Sequence, residues 1–136
     1  ATLRLLPELG GRVVAWAGLR SIQDARALLV ACEAGAGEML EGFEVIPAQA
    51  LAAVLSHVPG SRAPLAGDHE WHALIEFAAP SADAESLPDL AQSILARAIE
   101  DCVVADAVLA TSEAQAEAFW QLRDEIAPAE RAIGPA

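Results

Sequence analysis

Hydrophobic periodicity switches along this chain between a repeat of two and a repeat of 3.6, and the order of the switches limits the fold more than any single residue does. Arg12 to Leu19 (RVVAWAGL), bounded by Gly11 and Gly18, reads as a buried strand. Ser21 follows as a helix cap with Asp24 at the capping-box position, and Ile22, Ala25, Leu28, Leu29 and Cys32 form one apolar face before Gly35 and Gly37 stop it. In Met39 to Ile46, a second core strand, alternation sets Met39, Glu41, Phe43 and Val45 on one face and Leu40, Gly42, Glu44 and Ile46 on the other. A short helix with Ala50, Leu51, Val54 and Leu55 inward follows Pro47 and breaks at Val58-Pro59-Gly60, leaving Ser61 to Asp68 as a surface loop. Glu70 to Ala78 (EWHALIEFA) alternates most cleanly, with Trp71, Ala73, Ile75 and Phe77 inward and Glu70, His72, Leu74 and Glu76 outward. Ser86 and Pro88 open a helix whose face is Leu90, Ile94, Leu95 and Ala98, and Val103 to Ala110 is the last strand. Thr2 to Leu6 reads as a short edge strand ahead of all these. Without it and the short helix after Pro47, the order is β-α-β-β-α-β, which predicts an α+β, ferredoxin-like antiparallel sheet with helices packed on one face.

The final long stretch, Ser112 to Ile126, adds a helix to that scheme. Ser112 with Gln115 is a capping-box start, and Glu113 sets a negative charge beside the positive end of the helix dipole. Ala114, Ala118, Leu122 and Ile126 recur every fourth residue and predict one apolar stripe, flanked by Phe119 and Trp120. Arg123 lies beside the stripe, and Glu113, Glu117, Asp124 and Glu125 stand at none of the three- or four-residue spacings that would pair with it. Its guanidinium is expected to meet a group off the helix, or to cover an aromatic with its stem as an ordinary surface arginine does.

Totals narrow the partners. A length of 136 residues with 54% hydrophobic content predicts one compact domain. Net charge is −12, and all eight cations are arginine, so a phosphate backbone would be repelled and nucleic acid is not an expected partner. No apolar run approaches a membrane span and no charged leader precedes one, which predicts a soluble, cytoplasmic chain. Cys32 and Cys102 have neither CxxC spacing nor a His/Cys cluster around them and read as two buried, reduced thiols.

A self-contained active site is not legible. His69 and His72 flank Glu70, but in a strand the two imidazoles point to opposite faces, and the helical HExxH spacing that holds a metal is missing. No serine lies in GxSxG and no cysteine has a local base. Gly10-Gly11 and Gly35-x-Gly37 are turns, since neither is followed at the right distance by a helix opening that would cradle a phosphate. Arg123 remains, with a planar fork suited to gripping a carboxylate through two parallel hydrogen bonds. A small carboxylic acid is the matching ligand class.

Several stretches together resemble a known family. They are Phe43-Glu44 after a Met-Leu strand, the helix running to Val58-Pro59-Gly60, His72 to Phe77, and above all Ser112-Glu113-Ala114-Gln115 through Trp120-Gln121-Leu122-Arg123-Asp124-Glu125-Ile126. In these the chain resembles the C-terminal cap domain of FAD-linked oxidases, in the branch of the D-2-hydroxyglutarate and D-lactate dehydrogenases, with the glycolate oxidase flavin subunit as a relative. The resemblance implies that residues 1–136 are a cap-domain fragment of a larger flavoenzyme whose N-terminal FAD-binding domain and C-terminal segment lie elsewhere. It implies FAD held mainly by that other domain and a divalent metal bound by the C-terminal segment. It also implies that Arg123 holds the carboxylate of a D-2-hydroxy acid oxidised to the 2-oxo acid, that a histidine outside this chain serves as base, and that the fragment alone is inactive. The family's hydroxyl residue one turn further on is replaced here by Ala127 before Pro128, which leaves the particular acid open. The rival reading is a free-standing ferredoxin-like ligand-binding or subunit-interaction module, with a second copy as its partner. Under the cap reading one face should stay unusually apolar; under the module reading such a face closes a symmetric dimer.

Overall fold

The computed structural model describes residues 11–133; the edge strand expected at Thr2 to Leu6 falls outside them. The strand richest in Val, Ala and Trp becomes the centre of the sheet: β1 (Arg12–Leu19) is buried from Val13 to Leu19 without a break. A strand apolar on both faces needs cover on both. Along the chain follow α1 (Ile22–Ala36), β2 (Leu40–Pro47), α2 (Ala48–His57), β3 (Trp71–Ala78), α3 (Leu87–Glu100), β4 (Asp106–Leu109), α4 (Glu113–Asp124) and α5 (Ile126–Ile133). Among the described residues the sheet has four strands in the order β2-β3-β1-β4. Every neighbouring pair is antiparallel, with Arg12 opposite Ala78 and Leu19 opposite Trp71 between β1 and β3. This is the ferredoxin-like order that the β-α-β-β-α-β pattern predicts.

Helices α1 and α3 pack as expected on one face, where Leu28, Cys32, Ala91 and Leu95 meet Val13, Ala15, Ala73, Ile75 and Phe77. The other face is covered too. There Val14, Trp16, Ile46 and Leu74 carry Leu51 and Val54 of α2, Ala116, Phe119 and Leu122 of α4, and Ala129 of α5. Helices therefore lie on both sides of the sheet, and the open apolar face expected of an excised cap is not found among the described residues. His72 and Leu74, which alternation alone sends outward, are 5% and 0% exposed beneath this second layer. Fully burying a side chain the size of Trp16 or Phe77 contributes about 3 kcal/mol, so each layer has a large anchor of its own.

Local chemistry sets the boundaries. Ser21 caps α1, its hydroxyl oxygen accepting from the Asp24 amide at 3.1 Å. Ser86 does not cap α3: it closes the turn of residues 84–86 that separates the 3-10 segment Ser81–Asp83 from the helix, its backbone is already helical, and its hydroxyl donates to the Asp83 carbonyl at 3.1 Å. Past α3 the chain turns through Cys102, at φ 61, and the amides of Val103 and Val104 both return to the Ala98 carbonyl, at 2.9 and 3.2 Å. That turn delays β4 to Asp106 instead of Val103 and leaves Cys102 exposed, while Cys32 alone is buried. In β2 the register shifts between Leu40 and Gly42. Leu40 thereby joins Met39 and Phe43 beside the first core, opposite to the side that unbroken alternation assigns it.

Candidate carboxylate-binding site

Helix α4 starts where the capping pattern places it. The Ser112 hydroxyl accepts from the Gln115 amide at 3.1 Å, and the Gln115 side-chain oxygen accepts in return from the Thr111 amide at 2.6 Å, one residue earlier than a standard box. Its buried residues are Ala116, Phe119 and Leu122, while Ala114 and Ala118 are exposed. The stripe expected at every fourth residue is therefore rotated. Four residues advance about 400°, so such a line drifts by about 40° at each step, and the bulk of Phe119 selects the face instead of the small alanines. The Phe119 ring meets Trp16 edge-on, with centroids 5.8 Å apart. This rotation turns Trp120 and Arg123 toward β2 and β3.

Two arginines flank that part of α4 and are held differently. Trp120 donates its indole N–H to Glu76 Oε1 at 2.8 Å, and its ring lies over Gly42, where an added Cβ would stand 3.8 Å away. Glu76 also binds Arg12, whose Nε lies 3.3 Å from Glu76 Oε2 and whose Nη1 reaches Glu113 and Glu117, each at 3.2 Å. Burial works against the Arg12 charge, but the hydrogen bond and charge of Glu76, helped by Glu117 and Glu113, outweigh it and raise its pKa. With Nη2 also on Glu76 Oε1, all three Arg12 nitrogens are engaged. Arg123 donates from Nε to Glu44 Oε1 at 3.2 Å, and its Nη1 stands 3.7 Å from Asp124, beyond hydrogen-bond reach. Glu44 is thus the off-helix group that the Arg123 spacing calls for. Asp124 pairs only because a long side chain at a helix end can lean along the chain.

Glu44 is the residue that the sequence reading missed. Its signal was present: alternation put a glutamate between Gly42 and Ile46, on the face that α4 covers at Gly42 through Trp120, with Glu44 itself at the edge of that cover, 40% exposed. Charge complementarity also separates the two arginines. Arg12 is saturated by carboxylates, whereas the Nη pair of Arg123 makes no hydrogen bond among the described residues, and 45% of its side chain is exposed.

The other polar clusters do different work. His69 precedes β3, so the two imidazoles do not diverge as a continuous strand would require; their centroids lie 5.8 Å apart, at right angles. His72 Nδ1 accepts from the Trp16 indole N–H at 3.0 Å, and His69 Nε2 lies 3.2 Å from the Ala66 carbonyl. Burial, then the neighbouring His69, lowers the His72 pKa to about 4. Among the described residues no three His, Cys, Asp or Glu side chains are grouped to hold a metal, and no helix is long and apolar enough to cross a membrane. A groove of about 520 Å3 on the far flank of α4, floored by Val54, Val108, Phe119 and Leu122 and rimmed by Arg62, does not include Arg123.

Two glycine turns bear on a dinucleotide cofactor. A Cβ at Gly11 would fall 2.2 Å from the Ala79 carbonyl oxygen, so protein backbone already fills the space a phosphate would take. Gly37 ends α1 and so presents carbonyls, not amides, to any ligand. Neither glycine turn fits the pyrophosphate of FAD.

Comparison with known proteins gives the family. The profile described as "FAD linked oxidases, C-terminal domain" matches residues 11–136. A mitochondrial D-2-hydroxyglutarate dehydrogenase of Arabidopsis thaliana is 27% identical over 94% of this chain and 22% of its own length. The D-2-hydroxyglutarate dehydrogenase of Xanthomonas citri pv. viticola is 37% identical over 66% of this chain and 18% of its own. The chain thus spans about a fifth of the curated relatives it matches. A dimeric ferredoxin-like protein of unknown function from Thermobifida fusca overlays at a TM-score of 0.32 with 14% identity, over 72% of this chain and 86% of that one, too distant to carry an argument. The match over residues 11–136 takes in the whole described fold together with the Trp120 to Arg123 segment, and the chain belongs to the C-terminal domain family of the FAD-linked oxidases.

Proposed function

We propose that this chain is the substrate-binding cap domain of an FAD-dependent dehydrogenase that oxidises a D-2-hydroxy acid, D-2-hydroxyglutarate or D-lactate, to the 2-oxo acid. The observation that carries the reading is the state of Arg123: held at Nε by Glu44, with an Nη edge that makes no hydrogen bond among the described residues, on a side chain 45% exposed, beside Trp120 in a family-matched segment. A carboxylate approaching that edge gains two parallel charge-assisted hydrogen bonds and loses its free rotation. Oxidation removes a hydride from C2 of the acid and a proton from its hydroxyl. Arg123 supplies neither an acceptor nor a base; its role is to fix the acid and neutralise its charge. FAD, held by a separate domain of the parent protein, supplies the oxidising chemistry, and the relatives named D-2-hydroxyglutarate dehydrogenase favour that acid as the substrate. The isolated chain, separated from the domain that holds FAD, is inactive in this reading.

The visible absorption spectrum of the product of the full open reading frame tests this, taken before and after anaerobic addition of D-2-hydroxyglutarate and then D-lactate. Flavin bands that bleach with one acid name the substrate. A colourless protein no longer than this chain refutes the reading and leaves the free-standing binding module.

A further inference from the structure

We infer that Glu44 is a positioning residue for Arg123, a role that rests on the reading of Arg123 as the carboxylate-holding group. Arg123 lies in the last turn of α4, half exposed, and its long side chain would otherwise sweep a wide arc of rotamers. Glu44 stands on the sheet, paired in register with Leu74 and followed two residues on by Ile46, which is 2% exposed. The strand therefore offers a fixed point to a mobile group. One carboxylate oxygen meets Nε at 3.2 Å, whereas Asp124 stands 3.7 Å from Nη1, an ion pair without a hydrogen bond that an incoming carboxylate would have to displace. The contrast with Arg12 shows what this geometry is for. Arg12 is bound at Nε and both Nη atoms by three glutamates, which fastens β1 to α4 and leaves no donor over. Arg123 makes one hydrogen bond, from Nε to Glu44, and a looser ion pair from Nη1 to Asp124 at 3.7 Å, so Glu44 is the tighter of its two restraints and leaves the Nη edge without a hydrogen bond. Glu44 costs the site some charge attraction and gives it direction.

The test separates direction from charge, and both from the parent reading. In the full-length flavoprotein, E44A should raise KM for the hydroxy acid about tenfold while kcat changes less than about threefold. E44Q should recover most of that loss, because its amide oxygen still accepts from Nε. In the 136-residue chain the Arg123 Nε–H resonance should be resolved in wild type and E44Q and lost in E44A, with the thermal midpoint of E44A unchanged. If R123A raises KM while E44A leaves it unchanged or lowers it, Glu44 is not a positioning residue and the role of Arg123 stands. If R123A is itself without effect, Arg123 leaves the site and Glu44 with it.

Discussion

Replacing His72 by Asn should remove one pH-dependent component of stability that can be sized from the structure. Trp16 is fully buried and donates its indole N–H to His72 Nδ1 at 3.0 Å, which assigns the ring proton of neutral His72 to Nε2. Protonation would put a second donor against the indole N–H, under a layer that holds the imidazole to 5% exposure. Burial first, and His69 second, lower the pKa from 6.5 to about 4. The unfolded chain therefore takes up the proton near pH 6.5 and the folded chain only near pH 4, so the contribution is complete above pH 6.5 and is lost as the pH falls. The loss amounts to about 3 kcal/mol by pH 4. Asn keeps an acceptor for Trp16 but does not titrate. Urea unfolding of both proteins at pH 7, 6, 5 and 4 gives the difference, in which the carboxylates common to both cancel. The advantage of wild type over H72N should shrink by about 3 kcal/mol across that range. A constant difference would refute the buried neutral imidazole.

Three further outcomes follow from the packing. Ala116→Glu should cost more than about 3 kcal/mol, since it buries a carboxylate in the second core, while Ala118→Glu should stay within about 0.5 kcal/mol; equal effects in chemical denaturation would return the helix to the every-fourth-residue phase. Ser112→Ala removes the acceptor for the Gln115 amide and should lower stability by about 1 kcal/mol, read as a lower urea midpoint at unchanged slope. A chromogenic thiol reagent should modify Cys102 in the native chain and Cys32 only after unfolding, because Cys32 is fully buried and its thiol is pushed up to about 12 by burial and by Glu33. Two equivalents reacting at once would contradict that burial.

The sheet and its order were legible because β1 and β3 carry their pattern in large side chains: Trp16, Trp71, Ile75 and Phe77 leave little freedom over what is inside. The second layer was harder to see. Leu74 and His72 alternate as an outward face should, and only the unbroken apolar run of β1 signalled that this face is also covered. In α4 the error came from alanine, which is equally at home on either side of a helix and so cannot report its phase. Arg123 stood out through the absence of helical partners, a local property that spacing can reveal. Glu44 is separated from it by 79 residues, and the meeting of a β2 side chain with the end of α4 is a consequence of tertiary packing. The turn at Cys102 is a single-residue change of backbone direction with no glycine or proline to mark it, and at the β2 bulge Gly42 is a mark that alternation alone does not use.

Because helices cover both faces of the sheet, Arg123 and Glu44 lie outside both hydrophobic clusters, on a rim whose composition the fold hardly notices. Under the proposed role of Arg123, recognition and foldability are mutationally separable at that rim. Residues 44 and 123 can be exchanged for others while Phe119, Leu122 and Trp16 go on holding α4 in place, whereas Arg12, Glu76 and Trp120 tie helix to sheet and cannot drift so freely. A lineage built on this chain could change the charge pattern of this rim at two positions, with its stability margin left intact.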